Sequence, residues 1–288
     1  MALFFLQLLV LAVLLHRFFS LSTPAAMNLL ALSTLGLVLA ILVAMGALVR
    51  IWFGGQRGAT AAVAGIVIAL IGLSLPGWFL AKFIMLPRLT DIETSPREPL
   101  DFKVLASMRP ADANPIKDPN DTAAEKQEKA YPDIRPMELE RSSLEVFDMV
   151  NEAVKRLGWT IALSEPPGDN GVGRIEATDR TMIMGFTDDV LVRVTGDDAH
   201  ASIDVRSVSR YGLHDFGANA ARIRTLFAEV KSELEKGEKT GLELAGKTHK
   251  PDKQLKIGKR GKKGRKIVKR PTPPAASAGP KPPLLSPD

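Results

Sequence analysis

The apolar positions of this chain fall into two different patterns, and the first of them is a set of long uncharged runs. Residues 29–49 and 59–81 are each about as long as a helix needs to cross a bilayer core. A shorter run over 2–21 lacks the basic start and the small-residue cleavage site of a signal peptide, so a third membrane helix is favoured there. The pattern predicts two or three transmembrane helices within residues 1–86.

The second pattern, after residue 136, alternates with a period of two. Apolar and polar side chains alternate at 203–206, and valines recur at every second position of 190–194, as expected of half-buried strands. A Gly-Asp-Asp cluster at 196–198 has the composition of a tight turn. Together with a similar segment at 175–178, this predicts an antiparallel meander of three strands over 174–211. Two further strands are predicted upstream, at 137–140 and 159–163.

Two segments of this region have helical spacing instead. Ser142 and Glu145 form a capping box, and valines follow at 146, 150 and 154 on one helical face. Ile223, Phe227 and Val230 recur at the same spacing near the end of the region. The order strand, helix, four strands, helix predicts an α+β fold over 137–236, a two-layer domain of antiparallel sheet with helices on one face.

The remaining segments lack such periodicity. Residues 87–136 hold eight prolines, which predicts a spacer that is partly docked on the domain. Residues 237–288 are predicted to form a disordered tail, first basic and then Pro-rich. The tail has 14 Lys and Arg against 4 Asp and Glu, and the rest of the chain has 24 against 28. The basic character of the protein therefore belongs to the tail.

Several sequence segments resemble the bacterial domain of unknown function 1499 family. They are IEATDRT (Ile175–Thr181), GFTDDVLVRV (Gly185–Val194), DVRSVSR (Asp204–Arg210) and GANAARIR (Gly217–Arg224). YPDIRP at 131–136 and DIETSP from Asp91 are similar to pieces that precede the domain in membrane-bound members. The resemblance spans roughly residues 27–236 and implies a membrane-anchored form, but no established activity.

The charges flanking the apolar runs bear on membrane orientation. Arg50 and Arg57 lie in the connection between the second and third runs, and Arg17, Lys82 and Arg88 lie on the other side. This count leans slightly toward a cytoplasmic domain. The resemblance implies the reverse, because family members have a more basic connection there. With the family, we expect an inner-membrane protein whose soluble domain is periplasmic.

Few residues have the pattern of a reaction centre. The chain has no Cys, which excludes thiol catalysis, disulfides and Cys-based metal sites. It also lacks a nucleophile elbow, a phosphate-binding Gly loop and a recognisable metal-ligand spacing. His214 precedes Asp215, but a helix N-terminus explains this pair as well as a base does. We expect no catalytic residue, no cofactor and no metal.

Polar side chains in the predicted strands and last helix form the candidate site. Asp204, Arg206 and Arg210 share one face of a strand, and Arg193 lies on the neighbouring strand. Such a cluster could bind an anion or a partner through charge-assisted hydrogen bonds. The alternative is a cross-strand ladder of ion pairs that faces solvent. The candidate residues are Asp188, Asp189, Arg193, Asp204, Arg206, Arg210, Asn219 and Arg222.

These features favour a binding or scaffolding module of the cell envelope that is integral to the lipid bilayer. The alternatives are a carrier of a hydrophobic ligand, which requires an apolar groove between sheet and last helix, and an enzyme that uses the Asp/Arg cluster. The segment Lys256–Arg270 has nine basic residues in fifteen, and we expect it to contact an anionic envelope polymer or lipid headgroups. Nucleic acid is a disfavoured partner, because no aromatic residues interleave with these charges.

Overall fold

Three helices form the N-terminal region of the computed structural model, which describes residues 1–98, 100–116 and 121–248. Two of them are long and apolar enough to cross a membrane, and the first, of 17 residues, is shorter. In the most apolar windows of the second and third helices only 28% and 11% of the residues are buried. A core helix would be mostly buried, so this exposure is typical of helices that face lipid. The helices are α1 (Ala2–Phe18), α2 (Thr23–Gly54) and α3 (Ala59–Met85).

The three helices pack through small residues. A Cβ at Gly36 of α2 would lie 2.2 Å from the Phe5 ring of α1, and one at Gly72 of α3 would lie 2.7 Å from Leu37 of α2. In a bilayer the hydrophobic effect does not drive helices together, because lipid tails are as apolar as the helices. Small residues then favour association, because they let the backbones pack closely. The helices extend beyond the predicted bounds of 2–21, 29–49 and 59–81 at three of their six ends, because backbone hydrogen bonding continues past the uncharged runs. Helix α1, in contrast, ends at Phe18, before the predicted bound at residue 21.

A sheet of six antiparallel strands follows: β1 (Asp91–Glu93), β2 (Met137–Leu139), β3 (Thr160–Glu165), β4 (Val172–Arg180), β5 (Thr187–Gly196) and β6 (Ala201–Ser209). Five of the strands lie in the order β1-β6-β5-β4-β3. The short strands β1 and β2 both pair with the outer edge of β6, β1 along Arg206–Val208 and β2 along Ala201–Ile203. The predicted α+β class is confirmed, and the sheet includes a first strand that the periodicity did not indicate.

Helices α6 (Ser143–Arg156) and α7 (Ala218–Thr248) cover one face of the sheet. The predicted capping box begins α6, since Ser142 Oγ accepts a hydrogen bond from the Glu145 N–H at 3.2 Å. The core between sheet and helices is filled by side chains that are at most 1% exposed. These include Val146, Val150, Val154, Ile175, Val190, Val192, Val194, Ile203, Ile223, Leu226 and Val230.

The Pro-rich segment before the domain is folded onto it. Besides β1 it contains α4 (Leu105–Met108) and α5 (Asp121–Ala130). Residues 94–98 and 100–116, here called the covering segment, lie over the sheet face that α6 and α7 leave open, which we call the outer face. Leu100 and Leu105 are buried there at 2% and 1% exposure.

The last helix passes the position where the tail is predicted to begin, residue 237. Helix α7 continues through that position to Thr248. The basic segment Lys256–Arg270 and the Pro-rich end of the predicted tail lie outside the described residues.

Candidate functional site

The eight candidate residues lie on opposite faces of the sheet. Asp188 and Asp189 are consecutive in β5, and successive side chains of a strand point to opposite faces. Asp188 contacts Arg222 of α7, whereas Asp189 contacts Arg109 of the covering segment. Asp188, Asn219 and Arg222 therefore belong to the helix-covered face, and the other candidates, Asp189, Arg193, Asp204, Arg206 and Arg210, belong to the outer face.

On the helix-covered face, Arg222 connects α7 to three strands. Its Nε donates to Asp179 Oδ2 and its Nη2 to Asp188 Oδ2, both at 2.7 Å, and its Nη1 donates to Ser207 Oγ at 2.9 Å. Nη1 also lies 2.8 Å from the Asn219 side-chain oxygen. Burial disfavours the charged form, but the carboxylates of Asp188 and Asp179 outweigh it and raise the pKa of Arg222. The guanidinium is thus held as a cation with its donors satisfied.

Asn219 extends this group toward the start of α7. Its Nδ2 donates to the Thr90 carbonyl at 3.1 Å and to Ser209 Oγ at 3.0 Å, and the residue is fully buried. Asp215 caps the helix, since its carboxylate accepts from the N–H groups of Gly217 and Asn219. Burial raises the pKa of Asp215 above its ordinary value despite these two hydrogen bonds.

On the outer face, Arg206 is fully buried between β1 and the covering segment. Its Nε and Nη2 donate to the two carboxylate oxygens of Asp91 at 3.1 and 2.8 Å, and Nη1 donates to the Leu100 carbonyl at 2.6 Å. This bidentate geometry is the strong form of an Arg–carboxylate pair. The pair holds β1 against β6 and fixes the start of the covering segment.

Two further charged groups, centred on Asp204 and Asp189, lie beside it. Arg193 Nη2 donates to Asp204 Oδ2 at 3.0 Å, directly across the β5–β6 ladder. The hydroxyls of Thr94 and Ser95 donate to the other oxygen of Asp204 at 3.0 and 2.7 Å. The carboxylate therefore binds the beginning of the covering segment as well as its partner strand.

Asp189 is the centre of the second charged group. Its two oxygens accept from Arg210, with the shortest distance 2.6 Å to Nη2, and from Arg109 of the covering segment. The Asp189 side chain is completely buried. Burial lowers the pKa of Arg109, and the nearby Asp189 charge opposes that effect.

Glu176 of β4 completes the outer face. This fully buried carboxylate accepts from the backbone N–H groups of Lys103, Val104 and Leu105, where α4 begins. A carboxylate at a helix start satisfies donors that have no partner within the helix. Sequence reasoning missed Glu176, along with Asp91, Asp179 and Arg109. The strand alternation could have placed Glu176 with Arg206, but nothing in the pattern shows which segment covers that face.

Six of the eight candidate residues are thus buried, and Arg193 and Arg210 are partly buried, so the interpretation as a solvent-facing ladder is wrong. The four candidate arginines, Arg193, Arg206, Arg210 and Arg222, and Arg109 beside them each donate to a carboxylate of the same chain. The reason is that the Pro-rich segment, read as a spacer, covers the polar face of the sheet. Among the described residues no group of three or more His, Asp or Glu is placed to hold a metal ion. Chemically, the arrangement fastens covering elements to the sheet.

A separate set of contacts joins the domain to the helices. In the β4–β5 loop, His16 of α1 donates from Nδ1 to the Met184 carbonyl at 2.7 Å, and Arg17 donates to the Thr181 carbonyl at 3.0 Å. In the loop before α7, Lys82 of α3 donates to the Phe216 carbonyl at 3.2 Å. The domain is therefore docked on the ends of α1 and α3.

His214 belongs to this junction. Its Nδ1 accepts from the Phe216 N–H at 2.8 Å, so Nε2 carries the hydrogen that it donates to the Leu86 carbonyl at 3.2 Å. Both ring nitrogens are engaged by backbone groups, and Asp215 is occupied by the helix cap. The pair serves the helix start, which was one of the two interpretations of its sequence.

These features define a class of protein: an antiparallel α+β domain that follows N-terminal helices, two of them long and apolar enough to cross a membrane. Residues 92–230 match the family model described as protein of unknown function (DUF1499). That segment runs from β1 into α7, and the match confirms the resemblance over these residues. The chain matches no curated protein and no solved structure.

Proposed function

We propose that this chain is a bacterial inner-membrane protein that holds its α+β domain at the periplasmic membrane surface as a binding or scaffolding module of the cell envelope. The observation that carries the proposal is the filled interior of the domain. Val192, Ile203, Ile223 and Leu226 pack at no more than 1% exposure between sheet and helices, where a carrier would need an apolar groove.

The paired charges support the same conclusion. An enzyme that used the Asp/Arg cluster would need carboxylates or guanidinium groups directed at a substrate. Here Asp189 and Asp204 accept hydrogen bonds from the chain's own arginines and hydroxyls, and Arg206 donates to Asp91 and Leu100. The function then resides on the exposed surface of the domain rather than in its interior.

Topology is the first property to measure. A reporter that is active only in the periplasm and one that fluoresces only in the cytoplasm are each fused after Asp288. The same reporters inserted after Gly55, in the α2–α3 connection, serve as the matched control on the opposite side of the helices. We expect the periplasmic reporter to be active at 288 and the fluorescent one at 55. The reverse pattern would place the domain in the cytoplasm and refute the periplasmic part of the proposal.

A binding role is tested by photo-crosslinking in cells. A crosslinking amino acid is placed at Met108 or Leu144, which are 59% and 54% exposed on the domain. The control is the same amino acid at Trp52, which is 84% exposed at the far end of α2. A binding or scaffolding module is expected to give discrete adducts with envelope proteins from the domain positions and different ones from residue 52. Adducts that are the same from all three positions would contradict a partner surface on the domain.

Lys256–Arg270 is the part of the chain that we propose binds an anionic envelope polymer or lipid headgroups. The proposal rests on its nine basic residues in fifteen. The test reconstitutes the full chain and a variant that ends at Thr248 in vesicles of neutral phosphatidylcholine, and it compares the retention by each of soluble anionic polymer and of added phosphatidylglycerol vesicles. Equal retention by the two forms would remove this partner.

A further inference from the structure

The most exposed large apolar side chains of the domain lie in two separate loops. Leu213, before α7, is 86% exposed, and Met182, in the β4–β5 loop, is 85% exposed; Ile183 beside it is 44% exposed. Exposed apolar side chains that gather in one place mark an interaction surface.

Both loops lie against the membrane-side helices. Thr181 and Met184, which flank Met182 and Ile183, accept hydrogen bonds from Arg17 and His16 at the end of α1. His214, next to Leu213, donates to Leu86 at the end of α3. Only residues 86–90 separate α3 from β1, so the domain cannot move far from the helix ends.

The helix ends continue the same apolar surface. Phe18 and Phe19 at the end of α1 are 65% and 73% exposed, and Ile84 and Met85 at the end of α3 are 75% and 81% exposed. The apolar side chains of the two loops thus adjoin the side chains at which the helices leave the bilayer.

Basic side chains surround this surface. Lys82 lies 4.2 Å from the centre of the Trp78 ring, and the Arg88 guanidinium lies 4.6 Å from the Phe83 ring. Arg180 of β4 donates to the Arg17 carbonyl at 3.4 Å, so two more cations lie at the β4–β5 loop. Long basic side chains above apolar ones are the arrangement found at the headgroup level of a membrane.

We propose that Met182, Ile183 and Leu213 insert into the headgroup–acyl boundary of the bilayer, with Arg17, Lys82, Arg88 and Arg180 at the lipid phosphates. The inference rests on the proposed membrane insertion of the helices. We assign lipid to this surface because the two loops adjoin the ends of α1 and α3, which lipid surrounds if the helices are inserted. The domain is then a lipid-contacting body of fixed orientation and not a body held above the membrane on a linker.

The test uses the absence of Cys from the chain. Full-length M182C, L213C and L144C are each labelled with the same nitroxide and placed in vesicles of phosphatidylethanolamine and phosphatidylglycerol. Leu144 is the matched control: it is exposed at the start of α6, where Ser143 bonds to Asp197 of the β5–β6 turn at the other end of the sheet. Spin relaxation by oxygen and by a water-soluble nickel complex then gives the depth of each label.

We expect the labels at 182 and 213 at a depth of roughly 5–10 Å below the headgroups, and the label at 144 in water. Labels at 182 and 213 that are as accessible to nickel as the one at 144 would overturn the inference. An alkaline carbonate wash of the same vesicles separates the two proposals. Loss of the chain in that wash refutes membrane insertion itself, whereas a retained chain with water-exposed labels refutes only the lipid contact of the loops.

Discussion

Arg222 of α7 and Asp188 of β5 form an ion pair at 2.7 Å in which each side chain is only 5% exposed. The same guanidinium also binds Asp179 of β4 at 2.7 Å. Burying charges costs desolvation energy, so such a group stabilises a fold only while all of its partners are present. The group ties the last helix to the sheet and makes the α7–sheet contact dependent on one side chain.

Replacing Arg222 by Met is expected to destabilise the domain by about 3–5 kcal/mol, because it leaves two carboxylates without their cation. The measurement is urea unfolding of the full chain in detergent, followed by pulse proteolysis. Arg156→Met is the matched control, since Arg156 of α6 also binds carboxylates of α7, Glu229 and Glu233, but at the exposed surface. The control is expected to change stability little. Similar losses in the two variants would contradict the role of burial.

Glu176→Gln is expected to release the covering segment. The carboxylate accepts from three backbone N–H groups at 103–105, and an amide in its place directs an NH₂ group at those donors. We expect a loss of about 1–3 kcal/mol and faster hydrogen exchange over 100–108, with exchange in β5 unchanged. Glu165→Gln is the control, because Glu165 holds the same segment through an exposed pair with Lys103. Equal exchange in the two variants would show that Glu176 does not fasten α4.

The predictions that the structure confirms concern helices and strands that bury one apolar face. Val146, Val150 and Val154 face the sheet, and Val190, Val192 and Val194 face the helices, as their spacings indicated. A capping residue marked the start of α6 in the same local way. A local pattern is enough to predict an element when that element packs on a large apolar surface, because such packing does not require particular pairs of side chains.

The outer face could not be predicted by this means. A polar position that alternates with apolar ones ordinarily faces solvent, and the ladder interpretation of Arg206 and Asp204 depends on that rule. Their burial depends on Asp91 and on residues 94–116, which are remote in sequence and carry no periodicity. The strand β1 is only three residues long, and its existence depends on the β6 edge that it pairs with. Such pairing is a property of the tertiary fold, not of the local sequence.

Gly171→Ala is expected to be more harmful than Gly158→Ala, although both glycines have positive φ angles, of 64° and 72°. A Cβ at either position meets the left-handed strain of about 1–2 kcal/mol. At Gly171 it would also lie 2.1 Å from the Gly196 carbonyl oxygen, whereas at Gly158 nothing lies within 4 Å. We expect overpacking to add about 1–3 kcal/mol at residue 171. Equal unfolding midpoints of the two variants would refute the close approach of the β3–β4 loop to β5.

Asp215→Asn removes the titratable group at the start of α7 and so tests how its ionisation changes the stability of the fold. Burial raises the pKa of Asp215 in the folded chain, so the folded state holds its proton to higher pH than the unfolded state does. The contribution of Asp215 to stability is therefore greatest at pH below its ordinary pKa of 3.8 and falls as pH rises through the folded-state pKa. Asn does not titrate, and its single carbonyl oxygen accepts one of the two capping hydrogen bonds at every pH, so any loss from the missing second bond does not vary with pH. We expect the stability of the wild type relative to this variant to fall between acid and neutral pH. A difference that stays constant with pH, or that grows in favour of the wild type as pH rises, would show that the folded chain does not raise this pKa.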